Sequence, residues 1–129
     1  MQLRVLDYVV LIVADLERAL AFYQGTLGLE LQHRAERYAQ LRAGTTRLSL
    51  YAREAMAETL GTPLEPPSRT APAFELGFKV EDCDAAFAEL AAAGVEAVTP
   101  PTTRPWGQRT AYVRDPDGNL IELAQDLRR

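Results

Sequence analysis

An α+β fold built from two copies of one strand, helix, strand, strand, strand unit is the architecture this sequence predicts. Three observations carry it: an internal repeat, a matching pair of capped helices, and strands whose alternate positions separate apolar from mixed side chains. The chain has 129 residues, enough for one domain with one core. At 47% hydrophobic and 25% charged residues, its composition is that of a globular chain.

The first unit opens on "LDYVVLIV", a β-branched apolar strand, after which Asp15 stands as a helix N-cap. Leu16, Leu20, Tyr23 and Leu27 then share a helix face, and Gly28 suits the stop. Three strand-like runs follow, near residues 29–34, 37–42 and 47–51, the last two joined through Ala43 and Gly44.

From Phe74 the order restarts with strand "FELGFKV", cap Asp82, helical face Cys83, Phe87 and Leu90, and stop Gly94. Strands are then expected near residues 95–98, 109–114 and 119–125. Sliding the first half until Val13 falls on Val80 also sets Asp15 on Asp82, Leu16 on Cys83, Leu20 on Phe87 and Tyr8 on Glu75. One domain over residues 1–129 thus divides into module one (1–52), a linker (53–72) and module two (73–129). The linker holds four of the eight prolines, although "REAMAETL" could form a turn or two of helix.

Strand parity assigns the faces. Val9, Leu11 and Val13, Leu48 and Leu50, Leu76, Phe78 and Val80, and Ile121 and Leu123 form the apolar face that helices cover. The opposite face collects Tyr8, Val10, Ile12, Arg47, Ser49, Tyr51, Glu75, Gly77, Lys79, Thr110, Tyr112, Leu120, Glu122 and Ala124. Three tyrosines and several apolar side chains among these polar groups suit a ligand face better than a solvated one.

The formal net charge of −4 and the scattered basic residues exclude a phosphate-backbone partner, so no nucleic acid is expected. No stretch has the form of a membrane span or a signal peptide, which predicts a cytoplasmic location and no membrane partner. The single cysteine, Cys83, is expected in the core. "DPDG" reads as a tight turn with Pro116 second and Gly118 fourth; the acidic spacing of a calcium loop is absent. With His33 as the one histidine, and neither Ser49 nor Cys83 beside an evident base, nucleophilic triads lack material.

"VADLERALAFYQGTLGLEL" near the start and "RPWGQRTAYVRDPDGNLIEL" near the end, with the repeat between them, resemble the vicinal oxygen chelate superfamily of glyoxalase I, bleomycin-resistance proteins and extradiol dioxygenases. The resemblance implies two βαβββ modules forming an open, cup-shaped mixed sheet with helices on the convex side, in a homodimer. In metal-dependent members four inward positions hold a divalent ion; residue by residue these fall on Tyr8, Ser49, Glu75 and Glu122. Such members generally place histidine on a first strand, where this chain has Tyr8 and Glu75. Tyrosine and serine are poor ligands for zinc, nickel or iron at neutral pH, so no metal or other cofactor is expected. A weakly held magnesium- or manganese-like ion on the two carboxylates is the alternative.

Two functions follow as expectations. One is a bleomycin-resistance-like protein that binds, and so sequesters, a small, partly aromatic, neutral or cationic molecule through Tyr8, Ser49, Glu75, Trp106, Tyr112 and Glu122. The other is a lyase, isomerase or dioxygenase with Glu75 or Glu122 as general base. Against both stand plainer roles: the glutamates in structural ion pairs with Lys79, Arg47 or Arg109, and Trp106 as a loop anchor.

Overall fold

Each predicted unit forms its own four-stranded mixed sheet. The computed structural model describes residues 1–127, in the order β1 (Tyr8–Val13), α1 (Leu16–Leu20), β2 (Glu30–Arg34), β3 (Tyr38–Ala43), β4 (Thr46–Ala52), α2 (Arg53–Leu60), β5 (Glu75–Lys79), α3 (Cys83–Ala92), β6 (Glu96–Arg104), β7 (Gln108–Arg114) and β8 (Leu120–Asp126). The strands run β1-β4-β3-β2 in the first sheet and β5-β8-β7-β6 in the second. In both, the first strand pairs parallel to the last and the other pairings are antiparallel. The chain divides into two compact units between Pro66 and Pro67.

The helix starts follow from their caps. The Asp15 side chain accepts a hydrogen bond from the Arg18 amide at 3.1 Å, and Asp82 accepts one from Ala85 at 3.0 Å, each satisfying an amide the helix itself cannot. After Leu20 the first helix widens into a π-helical segment, Ala21–Thr26, closed by the Leu27 amide on the Phe22 carbonyl at 2.8 Å. The added residue per turn lets adjacent Phe22 and Tyr23 both enter the core, edge to face at 4.9 Å. Gly28 then ends the segment with φ of 78°, as its freedom from a Cβ permits.

Core parity holds in both units. Leu11, Val13, Ala39, Leu41, Leu48 and Leu50 are buried on one face of the first sheet; Ala111, Val113, Ile121 and Leu123 are buried in the second. α3 covers this second face, with Cys83 fully buried and its Sγ directed at the Leu123 carbonyl. Burial, with Asp84 next, pushes the thiol pKa up, so Cys83 is a packing residue.

"REAMAETL" forms the two-turn helix α2, within the turn or two its sequence allows. One element exceeds expectation: β6 runs on through Pro100 and Pro101 to Arg104. Prolines interrupt a central strand because they cannot donate to a ladder, but β6 is an edge strand whose register shifts between Ala97 and Thr99 and again between Thr99 and Thr102. Among the described residues, no helix is long and apolar enough to cross a membrane.

Candidate functional site

In the second unit the face away from α3 brings Glu75, Gly77, Tyr112 and Glu122 together. The register places Gly77 opposite Glu122 on β5 and β8, and Tyr112 opposite Glu122 on β7. The Tyr112 hydroxyl donates to Glu122 Oε2 at 3.2 Å. Glu75 lies one diagonal step away on β5, so the two carboxyl groups are neighbours on this face. Partial desolvation first, then hydrogen bonding to Glu122 and its charge, raise the Glu75 pKa above the usual carboxylate value. The Tyr112 pKa is also raised, by burial and then by the charges of Glu122 and Glu75, with Arg104 opposing.

Lys79, Arg47 and Arg109 bond elsewhere: Lys79 to Asp126 at 2.7 Å, Arg47 to Asp7 at 3.2 Å, and Arg109 to Asp84 through two hydrogen bonds of 2.7 and 3.0 Å. Strand geometry separates Lys79 from Glu75, four residues away along β5, about 13 Å at the usual rise; Glu122 and Asp126 both lie diagonal to Lys79 across the ladder, and Asp126 is the one it bonds.

Trp106 caps the β6–β7 hairpin, 64% exposed, its Nε1 donating to Gln108 Oε1 at 2.9 Å. Parity of the expected strands does not find Arg104, because it lies on the extension of β6; its Nε donates to buried Thr110 at 2.9 Å.

The first unit carries its own polar cluster. Ser49 is fully buried and shares a 2.9 Å hydrogen bond with the Tyr38 hydroxyl, which also donates to Gln40 at 3.3 Å. The Tyr38 ring meets Tyr51 edge-on at 6.1 Å and the exposed His33 at 6.2 Å. Tyr51 in turn shares a 2.9 Å hydrogen bond with Thr59 of α2. Tyr8 stands half-exposed at the start of β1. Tyr38 and Gln40 are absent from the sequence candidates; the alternation of Tyr38, Gln40 and Arg42 with Ala39 and Leu41 is the signal that marks them.

These donors do not fit a zinc, nickel or iron site. Ser49 is committed to Tyr38, Glu122 accepts from Tyr112, and no group of three or more His, Cys, Asp or Glu side chains suited to a metal occurs among the described residues.

The raised Glu75 pKa has a consequence for stability. A carboxyl that binds its proton more tightly folded than unfolded makes the protein lose stability as pH rises from the unfolded value, about 4.3, through the folded one. Glu58 and Asp84 are shifted the opposite way, by Arg37 and Arg109, so the comparison must be with a variant. Glu75→Gln should remove the Glu75 part of the loss and be more stable than wild type at pH 8 by less than about 1 kcal/mol, since the exposed flank screens the repulsion. Urea unfolding at pH 5 and pH 8 measures it; equal pH slopes in the two proteins would refute it.

A mixed sheet with parallel outer pairing, repeated twice, with polar side chains gathered on the face away from the core, defines the class, and comparison with known proteins agrees. Residues 5–123 match the model of the Glyoxalase/Bleomycin resistance protein/Dioxygenase superfamily, and the chain belongs to that superfamily. It is 38% identical over 122 residues to the uncharacterized protein YraH of Bacillus subtilis, covering 91% of this chain and 94% of YraH. A glyoxalase/bleomycin resistance protein/dioxygenase from Nocardioides has a similar crystal structure, with a TM-score of 0.81 at 25% identity over 98% of this chain and 86% of that one. Virulence protein STM3117 of Salmonella typhimurium is 28% identical, and its crystal structure gives a TM-score of 0.70 over 98% of this chain and 100% of that one.

Proposed function

We propose that this chain binds a small, partly aromatic, neutral or cationic molecule on the second sheet, without chemistry, and so sequesters it. The observation that carries this reading is the Glu75–Glu122 pair beside Tyr112, with Lys79 and Arg109 bonded to other carboxylates. A cationic ligand would relieve the repulsion between the two carboxyl groups, and the Tyr112 and Trp106 rings offer flat surfaces to its aromatic part. A thermal-shift series tests it. Phenyltrimethylammonium should raise the melting temperature in a dose-dependent way and benzoate should not. Equal shifts, or stabilisation by zinc or nickel alone, would overturn it.

The raised pKa of Glu75 favours a second reading, a lyase, isomerase or dioxygenase of the same superfamily in which this carboxylate takes a proton next to a carbonyl. The proposal also includes a cytoplasmic homodimer, because β1 and β2 are edges of one sheet and β5 and β6 of the other. Sedimentation at micromolar concentration reads the mass.

A further inference from the structure

Six glycines in this chain adopt positive φ, where a side chain would be strained; Gly77 does not. It stands in the middle of β5, an edge strand, where glycine costs about 0.5–1 kcal/mol relative to residues that keep less backbone freedom. No turn explains it. What lies over it is the Glu122 carboxylate: a Cβ built on Gly77 would sit 3.3 Å from Glu122 Oε1, tighter than ordinary contact. The other oxygen of that carboxylate accepts from Tyr112 at 3.2 Å. Glu122 is therefore held from one side by β7 and given room on the other by β5. In the first unit the same register position holds Val10, opposite Ser49, and there the short serine side chain turns to Tyr38 on β3.

We propose that Gly77 is a positioning residue: by leaving its Cβ position empty it lets the Glu122 carboxylate lie across β5, beside Glu75, so that the two carboxyl groups act as one pair. A methyl group there would press on Oε1 by a few tenths of an ångström; the branched side chain of valine would occupy the space outright. The glycine thus sets the spacing of the two carboxyl groups, and with it the charge that a ligand on this face meets. The inference deepens the proposed ligand site, but it is tested with no ligand present, so its failure and that of the binding reading are separable.

The experiment is a carboxyl-carbon NMR titration of the full chain as wild type, Gly77→Ala and Gly77→Val, with Glu122→Gln as the reference for a broken pair. In a coupled pair the Glu75 signal follows two steps, its own and its partner's. Gly77→Val should reduce the Glu75 curve to the single step seen in Glu122→Gln, and Gly77→Ala should weaken the second step. The melting temperature should hold or rise, because valine favours a strand. Retention of the two-step Glu75 curve in Gly77→Val would overturn the proposal, as would a crystal structure of that variant with Glu122 Oε1 unmoved. Should Gly77→Val fail to fold, an unchanged second step in Gly77→Ala would overturn it equally.

Discussion

Asp115→Ala should destabilise the protein by about 2–4 kcal/mol, the scale of losing several charge-assisted hydrogen bonds in a partly buried turn. Asp115 is buried, and its Oδ1 accepts from the amides of Asp117 at 2.9 Å and Asn119 at 2.8 Å, while Oδ2 accepts from Asn119 Nδ2 at 2.9 Å. The turn itself is closed by the Gly118 amide on the Asp115 carbonyl at 2.9 Å, and Gly118 takes φ of 90°. Alanine would leave two backbone amides without their carboxylate acceptor. Asp115→Asn keeps one oxygen and should cost about 1 kcal/mol. The turn joins the strands that carry Tyr112 and Glu122, so the damage bears on the site as well as the fold. Denaturant unfolding of the three proteins measures the effect, and a loss below about 1 kcal/mol for alanine would contradict the assignment.

That turn also shows how far sequence pattern reaches in this chain. Pro116 and Gly118 fix their turn positions through local backbone limits, and Asp15 and Asp82 cap helices through bonds to residues three places on; such features are written in short windows. The repeat works in the same way, because each unit places similar side chains at similar intervals. Long-range choices are another matter. Lys79 shares a face with Glu75 and Glu122 by parity and lies diagonal to both Glu122 and Asp126 across the ladder, yet it bonds Asp126, while Arg47 bonds Asp7; residue type and parity do not choose between such partners. β6 escaped its expected length because two prolines end a strand in most settings and are tolerated on an irregular edge. Arg104 went unmarked with it.

At the site itself, Glu122→Gln should weaken binding of phenyltrimethylammonium by about 1–3 kcal/mol, roughly a 5- to 150-fold loss, the scale of a lost charge-assisted interaction. The amide keeps the shape of the side chain and can still accept from the Tyr112 hydroxyl, so folding should change little. Glu75→Gln should weaken binding less, because the exposed Glu75 shares its charge with solvent and, with its raised pKa, carries a proton over more of the pH range. Lowering the pH through the Glu75 transition should accordingly weaken the wild-type complex, and this pH step should vanish in Glu75→Gln. Arg104 tempers the field near Tyr112, so Arg104→Gln should strengthen the same cation. Calorimetry across the three variants reads all of these signs. Unchanged affinity in both Glu122→Gln and Glu75→Gln would show that the carboxyl pair does not face the ligand and would leave it as a structural feature of the β5–β8 ladder.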